Sequence, residues 1–211
     1  MSEQHDFDRA YWERRWQEGH HGGAVGASDP HPYLAEETSG LTPGTALDAG
    51  CGTGTEAIWL ASHGWQVTAV DIASAALAVA AERATASGVS ERVRWVEADL
   101  TAWAPEARFD LVTTHYAHPA MPQLAFYDRI STWVAPGGTL LIVGHLHAPG
   151  ATGHGHHPPA EASVTLADIT AGLDSTTWEI LTAEEHHRTV TGPGGQEKTL
   201  HDVVVRATRR S

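Results

Sequence analysis

The sequence predicts an α/β fold: a Rossmann-like seven-stranded, mostly parallel sheet with helices on both faces and a C-terminal antiparallel hairpin. Between residues 45 and 143, short apolar strand patterns alternate with helical patterns, as parallel strands require because each needs a crossover connection. Two further strand patterns near the C-terminus flank a glycine-rich turn, which is typical of a hairpin. The 211 residues, 41% of them hydrophobic, fit one domain with a substantial core.

The first 40 residues are predicted to form a helical lid segment. A helical pattern over Asp6–Glu18 places Trp12 and Trp16 on one face. Glycines between residues 19 and 26 follow this helix, and we expect them to act as a hinge. A second, short helix is expected after Pro32.

The central region, residues 45–144, is predicted to be a cofactor-binding core. Its strand patterns are separated by helical patterns, and Pro136-Gly137-Gly138 stops the last helix. The predicted strands are Thr45–Asp48, Gln66–Val70, Val93–Glu97, Phe109–Thr114 and Thr139–Val143, and the predicted helices are Glu56–Ser62, Ser74–Ser87 and Gln123–Val134.

Residues 145–211 are predicted to supply a substrate-side loop, a short helix and the terminal hairpin. The loop is rich in glycine, proline and histidine, and the helix pattern covers Leu166–Leu173. Strand patterns over Trp178–Glu184 and Leu200–Ala207 flank a turn at Gly192-Pro193-Gly194-Gly195. The whole chain, 1–211, is therefore expected to be a single domain.

The charge balance excludes several classes of partner. With a formal net charge of −13 and no basic stripe, the chain is a poor candidate for binding nucleic acid or an anionic membrane surface. No apolar run approaches the ~20 residues that span a bilayer, and no signal-peptide pattern is visible. We expect a cytoplasmic monomer or homodimer that acts on a small molecule.

The decisive motif is a glycine loop between the first strand and the next helix. Gly50, Gly52 and Gly54 stand at alternate positions, where a ligand can lie against the main chain. The dinucleotide fingerprint requires a third glycine at position 55, which is Thr55 here. Asp48, two residues before the loop, favours a ligand with positive charge over a pyrophosphate.

Two more acids follow predicted strands, and in an open α/β sheet such positions lie at the ligand-binding edge. Asp71 ends the second strand and is suited to accept ribose hydroxyls, while Ile72 can pack on an adenine ring. Asp99 follows the third strand and can accept an adenine amine. The alternatives are structural: Asp71 as a helix N-cap and Asp99 as a turn residue.

These motifs together resemble the class I S-adenosylmethionine-dependent methyltransferases. The N-terminal Tyr11-Trp12-x-x-Arg15-Trp16 resembles the thiopurine and tellurite-resistance methyltransferase group within that class. The segments that carry the wider resemblance are Leu47–Gly54, Val70–Ile72, Glu97–Leu100, Phe109–Thr114 and Pro136–Gly138.

The resemblance implies S-adenosylmethionine as cofactor and a set of residues around it. The two tryptophans would close over the cofactor, Leu100 would use its backbone N–H, and Cys51 is interpreted as a small packed residue of the loop. The implied cofactor-binding residues are Trp12, Trp16, Asp48, Gly50, Cys51, Gly52, Gly54, Asp71, Ile72, Asp99, Leu100, Thr114 and His115.

Histidines supply the candidate catalytic groups. His115 and His118 follow the fourth strand, where either could deprotonate an acceptor, and the acidic chain is expected to raise the imidazole pKa. The alternative is that both only shape the pocket. We expect no metal site, although the loop histidines His147, His154, His156 and His157 leave one open.

The resulting hypothesis is S-adenosylmethionine-dependent methyl transfer to an oxygen, nitrogen or sulfur atom of a small molecule. Two alternatives belong to other classes. One is a histidine-rich metal-binding or sensor protein on a nucleotide-binding fold. The other is a nicotinamide-dependent oxidoreductase, which Thr55 and the terminal hairpin disfavour.

Overall fold

The computed structural model describes residues 7–18, 30–146, 164–191 and 197–211. They form one seven-stranded sheet in the order β3-β2-β1-β4-β5-β7-β6, as the sequence predicts. The strands are β1 (Thr45–Ala49), β2 (Gln66–Asp71), β3 (Val93–Glu97), β4 (Phe109–His115), β5 (Val134–His145), β6 (Trp178–Thr191) and β7 (Glu197–Arg209).

Helices cover both faces of this sheet. Strands β1 to β5 pair with one another in parallel, and β7 pairs antiparallel with both β5 and β6. The helices are α1 (Arg9–Gln17), α2 (Pro32–Thr38), α3 (Thr55–Ser62), α4 (Ser74–Ala86), α5 (Gln123–Ser131) and α6 (Leu166–Ala171), with a 3-10 turn at Ser90–Arg92.

Two apolar cores fix the sheet between its helical layers. Fully buried Phe126 and Ile130 of α5 pack on one face, and Leu60 of α3 packs on the other. Burying a large apolar side chain contributes about 1.5–3 kcal/mol, so these contacts hold each helix to the sheet. The rigid sheet then fixes the positions of the loops at its carboxyl edge.

The fifth strand begins earlier than its pattern predicts. α5 ends at Ser131 instead of Val134, and Val134 pairs with Phe109 at the start of β5. The pairing register then shifts before Thr139, which pairs with Leu111. Pro136-Gly137-Gly138 therefore lies inside an irregular strand and does not precede it, because the chain bulges there without leaving the sheet.

The hairpin strands extend further than predicted at the turn-facing ends. β6 continues to Thr191 and β7 begins at Glu197. The paired residues at these ends are polar, such as His187 and His201. The sequence there has no alternation of apolar and polar residues from which a strand could be predicted. Gly192–Gly195, the glycines of 19–26 and the loop histidines 147–157 lie outside the described residues.

The strand order brings the predicted site together at one edge. β1 lies between β2 and β4, where successive connections diverge to opposite sides, and such a switch point is where open α/β sheets bind ligands. Across the described ranges, no helix combines the length and apolar character needed to cross a bilayer.

Candidate active site

The glycine loop turns sharply between β1 and α3. Gly50, Gly52 and Gly54 have φ angles of 84°, 50° and 75°, which side-chain-bearing residues rarely adopt. A Cβ added at Gly54 would lie 2.4 Å from the Trp95 ring, and one at Gly50 would lie 2.3 Å from the Cβ of Ala117. Glycine is thus required at these positions for two reasons. The turn needs positive φ angles, and residues of β3 and of the segment after β4 pack directly against the loop.

Asp71 holds the glycine loop against the end of β2. Its Oδ2 accepts the N–H of Gly52 at 2.8 Å, and its Oδ1 accepts the N–H of Ala73 at 2.9 Å. Burial raises the pKa of this carboxyl. Asp71 therefore fixes both the glycine loop, through Gly52, and the turn into α4, through Ala73. The ribose-binding role predicted for Asp71 would place a ligand beside this loop.

Asp48 is the most unusual polar group of the site. It is 1% exposed, and its Oδ2 has no hydrogen-bond partner within the part of the chain that the structure describes. Burial raises its pKa well above the usual range, and the nearby Glu56 and Asp71 raise it further. An unsatisfied buried acceptor costs about 1–3 kcal/mol, so this oxygen is suited to a cationic or N–H-bearing ligand group.

Glu56, which sequence reasoning missed, adds to the negative charge beside Asp48. It lies in the first turn of α3, its Oε1 accepts the N–H of His31 at 3.3 Å, and burial raises its pKa. We call Asp48, Glu56 and Asp71 the acidic region. Of these three acids, Glu56 is the one that does not lie near the end of a strand, so strand patterns in the sequence did not point to it.

Helix α1 lies over the glycine loop, and its role as a lid stays a prediction. A Cβ at Gly52 would lie 3.0 Å from the ring of Trp16, so the indole rests directly on the loop. The indole N–H of Trp12 donates to the carbonyl of His118 at 3.2 Å. The two tryptophans therefore contact both sides of the predicted cofactor site.

Two side chains fasten α1 in this position. Glu13 accepts the N–H and the hydroxyl of Ser74 at 2.6 and 2.9 Å, and Arg9 pairs with Glu97 at the end of β3. Ala73, the N-cap of α4, has no capping side chain, so Glu13 satisfies this helix start from α1. Sequence reasoning missed Glu13 because its partner is 61 positions away.

Three other predicted cofactor residues make structural contacts. Asp99 Oδ1 accepts the N–H and hydroxyl of Thr101 at 2.8 and 2.7 Å, which is the turn role weighed as its alternative. Thr114 donates its hydroxyl to the carbonyl of Ala49 at 2.8 Å and joins β4 to β1. Leu100 packs its side chain into the core.

Cys51 and Ile72 complete the predicted set. Cys51 is buried, and burial raises the pKa of its thiol well above the usual range. This placement agrees with a packed residue and disfavours a nucleophile, because a reactive cysteine needs an accessible thiolate. Ile72 is half-buried between Asp71 and the start of α4.

The two catalytic candidates occupy different surroundings. His115 Nδ1 lies 3.3 Å from the hydroxyl of Thr113, and its Nε2 is shielded from solvent with no partner among the residues described. His118 Nδ1 lies 3.2 Å from Gln123 Oε1, and its ring centroid is 5.8 Å from that of Phe7. His118 therefore faces α1 and α5, whereas His115 belongs to β4.

The expectation of a raised imidazole pKa is wrong for His115. Burial lowers its pKa to about 3, because removing the charged form from water outweighs the distant acidic groups of the chain. His115 is neutral at physiological pH. Nε2 has no partner among the described residues and can donate or accept a hydrogen bond, depending on the tautomer, although the lowered pKa makes the ring a weak proton acceptor.

A hydrogen-bonded network beside His115 was missed from the sequence. The Tyr116 hydroxyl lies 3.0 Å from His31 Nε2 and accepts a bond from Arg188 at 3.4 Å. Asp202, fully buried, accepts from Arg188 Nε and lies 3.0 Å from His145 Nδ1. The Tyr116 ring also stacks on His145, with centroids 4.1 Å apart.

We call His31, His115, Tyr116 and His145, with the Arg188–Asp202 pair, the imidazole cluster. Its members come from the start of α2, the ends of β4 and β5, and the hairpin. These segments are far apart in the sequence, so no short motif predicts the cluster. Strand pairing brings the residues together, as it does for His145 and Asp202. In ranges 7–18, 30–146, 164–191 and 197–211, no group of three or more potential ligands could hold a metal ion.

Comparison with known proteins supports the interpretation of this site as that of a methyltransferase. Residues 46–138, which include the glycine loop, match a methyltransferase domain family. Among curated proteins, ribosomal RNA small subunit methyltransferase C of Alcanivorax borkumensis is 32% identical over 51% of this chain and 34% of its own length. Thiocyanate methyltransferase 1 of Brassica oleracea is 28% identical over 89% of this chain and 81% of its own length. Probable thiol methyltransferase 2 of Arabidopsis thaliana is 28% identical over 63% and 60%.

The matched domain and these relatives support the predicted class I S-adenosylmethionine-dependent methyltransferase. The curated relatives of the methyltransferase include a thiocyanate methyltransferase and a probable thiol methyltransferase. This chain spans only about a third of the length of the ribosomal RNA relative but most of the thiocyanate relative.

Solved structures share the fold of this methyltransferase. One, described as conversion of a disulfide bond into a thioacetal group during echinomycin biosynthesis, has a TM-score of 0.71, 23% identity and coverage of 96% of this chain and 92% of that one. TehB from Haemophilus influenzae has a TM-score of 0.70, 16% identity and coverage of 94% and 67%.

S-adenosylmethionine is the cofactor of the methyltransferase, and its charges match the acidic region. The molecule carries a sulfonium and an ammonium group, while Asp48 offers a buried oxygen that lacks a partner in the described ranges. The glycine loop supplies a main-chain surface without side chains. The matched methyltransferase domain therefore favours S-adenosylmethionine over nicotinamide, the alternative that the loop left open.

Proposed function

We propose that the methyltransferase methylates a heteroatom of a small molecule, with sulfur acceptors such as thiols or thiocyanate as the first candidates. The observation that supports this most directly is the position of the imidazole cluster beside the acidic region. Neutral, buried ring nitrogens suit a small uncharged or anionic acceptor better than a large cationic one. The names of the thiocyanate and thiol relatives favour sulfur. We propose that it does so in the cytoplasm, as one domain over residues 1–211.

Binding of the cofactor is assigned to the acidic region and the glycine loop. When bound, S-adenosylmethionine supplies an electrophilic methyl group on a sulfonium. In this proposal, Asp48 accepts from the cationic amino end, Asp71 from the ribose hydroxyls, and the backbone of Gly50–Gly54 lines the remaining surface. Helix α1 excludes water through Trp12 and Trp16, which strengthens these electrostatic contacts.

The acceptor needs alignment more than it needs acid–base chemistry. A thiolate or thiocyanate attacks without losing a proton, so alignment supplies most of the rate. His115, whose pKa burial lowers to about 3, is too weak a base to take a proton from a thiol or phenol, so such an acceptor has to react as its anion. His118, which faces α1, would then shape the pocket.

A panel assay tests this function. Purified enzyme with S-adenosylmethionine is incubated with thiocyanate, hydrosulfide, small thiols, phenols and amines, and methylated product and S-adenosylhomocysteine are quantified by mass spectrometry. We expect the highest kcat/KM with a sulfur acceptor. A preference of more than tenfold for a phenol or amine would overturn the sulfur assignment.

The panel includes matched variants. Asp71→Asn should lose activity with every acceptor, because it weakens the cofactor site itself. Asp174→Asn, which changes an exposed carboxylate in the turn before β6, should match the wild type. Equal losses of activity in both variants would mean that the activity depends on the net charge of the enzyme and not on the position of Asp71.

A further inference from the structure

We propose that His31 and His115 form the acceptor subsite and hold a small anion through their unpartnered ring nitrogens, with Tyr116 positioning His31. This inference rests on the proposed function, since it concerns the acceptor of that reaction. It names two residues for acceptor binding, of which His31 has no place in the motifs of the class.

The first observation is a pair of unsatisfied nitrogens. Nδ1 of His31 and Nε2 of His115 are both buried and lack partners in the portion of the chain described here. Both side chains adjoin Tyr116: His31 Nε2 lies 3.0 Å from its hydroxyl, and His115 directly precedes it in the chain. Buried polar atoms are normally satisfied, so two such atoms in neighbouring side chains indicate a missing ligand or ordered water.

The second observation is that both rings are neutral. Burial lowers the pKa of His31 to about 4, with the Arg188 charge acting in the same direction, and that of His115 to about 3. Neutral imidazoles can donate N–H bonds to an anion without bringing their own buried charge. Such a subsite holds an anion weakly, which suits an acceptor that must stay nucleophilic.

Tyr116 holds the imidazole of His31 in place. Its hydroxyl lies 3.0 Å from His31 Nε2, accepts from Arg188 and hydrogen-bonds with the buried Asp202. In the proposed subsite, the anion selects the His31 tautomer that carries its proton on Nδ1, so that this nitrogen donates to the anion while Nε2 faces the Tyr116 hydroxyl.

The backbone at Tyr116 places it for this role. Its φ of 55° lies in the left-handed region, which is unusual for a residue with a large side chain. Its N–H still bonds to the carbonyl of Val143, so the reversal occurs immediately after the sheet ends. The turn sends the Tyr116 ring towards His145 and Ala117 towards Gly50, which joins the imidazole cluster to the glycine loop.

The reaction is balanced without any further reactant. A lone pair of the anion forms a bond to the methyl carbon while the carbon–sulfur bond of the cofactor breaks, and its electron pair stays on sulfur. A sulfonium and an anion thus become a neutral thioether and a neutral methylated product. No proton moves, so donors that only bind the anion are sufficient.

The test measures thiocyanate binding to the enzyme saturated with S-adenosylhomocysteine, by calorimetry. His31→Leu and His115→Leu remove the ring nitrogens and should each weaken the Kd for thiocyanate at least tenfold. His31→Asn, which keeps an N–H near the Nδ1 position, should stay within about threefold of wild type. His63→Leu, at an exposed histidine beyond α3, is the matched control and should change nothing.

Tyr116→Phe separates a positioning role from a merely structural one. It removes the hydroxyl that holds the His31 ring through Nε2 and should raise the thiocyanate Kd and KM at least threefold, while kcat changes less and S-adenosylhomocysteine affinity stays within twofold. It also keeps the test decisive if a leucine variant does not fold. Unchanged thiocyanate affinity in Tyr116→Phe and in the folded leucine variants would overturn the subsite.

The two proposals fail in different ways. Thiocyanate that binds the wild type through His31 and His115 but is never methylated would support the subsite and count against the proposed acceptor. Methylation of a neutral thiol without any binding of thiocyanate would support the proposed function and overturn the anion subsite.

Discussion

The acidic region and the imidazole cluster lie at the same edge of the sheet, yet burial affects them in opposite ways. It raises the pKa of Asp48, whereas it lowers those of His31 and His115. In both places the neutral form gains, and each leaves buried polar atoms unsatisfied in the described structure. Among the described residues, Asp48 Oδ2 lacks a hydrogen-bond partner in the first region, and His31 Nδ1 and His115 Nε2 lack one in the second. The difference matches a reaction between a sulfonium and an electron-rich acceptor.

The largest expected effect is on cofactor affinity in the acidic region. Asp71→Ala should weaken S-adenosylmethionine binding by ~1.5–3 kcal/mol, because hydrogen bonds to a charged acceptor are lost. Calorimetry on the wild type and the variant measures it, with Asp174→Asn as the control. An affinity within twofold of wild type would show that Asp71 only fixes the loop through Gly52 and Ala73.

Asp48→Asn should separate stability from binding. Removing a buried carboxylate with an unsatisfied oxygen should stabilise the cofactor-free enzyme by ~1 kcal/mol, while S-adenosylmethionine affinity falls by ~1–2 kcal/mol. Thermal unfolding with and without cofactor measures both changes. A variant that loses stability without the cofactor would contradict the idea that this charge is kept for the ligand.

The lid should depend on the contact between α1 and α4. Glu13→Ala removes the acceptor for the Ser74 N–H and hydroxyl, and a lost cap costs about 1 kcal/mol. Hydrogen exchange over residues 9–17 should become faster in the variant and slower in wild type when S-adenosylhomocysteine is added. Identical exchange in all four samples would contradict a closing α1.

A further effect is expected on the pH dependence of stability, where the two regions have opposite signs. His115 has a pKa of about 3 when folded against about 6.5 when unfolded, so the unfolded chain binds the proton first and stability falls as pH drops below about 6.5. The raised carboxyl pKa values of the acidic region act in reverse, because the folded chain then binds protons first.

Comparison of variants isolates the two contributions. His115→Gln should lessen the loss of unfolding free energy between pH 6.5 and 4, whereas Asp48→Asn should steepen it. Denaturant unfolding at several pH values measures these slopes. Parallel curves for the wild type and both variants would mean that neither buried group titrates differently in the folded chain.

The sequence was sufficient for the parts of the molecule that depend on local pattern. Apolar strand runs and the spacing of Gly50, Gly52 and Gly54 predict the sheet and the loop, and the structure confirms both. Each of these features lies within a dozen residues, where side-chain periodicity and backbone freedom act directly.

The imidazole cluster could not be predicted in the same way. His31 meets Tyr116 across 85 positions, and Asp202 meets His145 across 57, so their contacts depend on strand order and on the hairpin. The sign of the His115 pKa shift was also wrong from sequence, since net charge says nothing about local burial. Long-range packing, and not residue type, determines these properties.

A crystal structure of the enzyme with S-adenosylhomocysteine and iodide tests the division between the two regions most directly. Iodide can be located by its anomalous signal and serves as a small soft anion. We expect the amino group of the cofactor product within hydrogen-bond distance of Asp48 Oδ2 and iodide against His31 Nδ1 and His115 Nε2. A cofactor amino group away from Asp48, with iodide bound only at surface sites, would contradict the assignment of both regions.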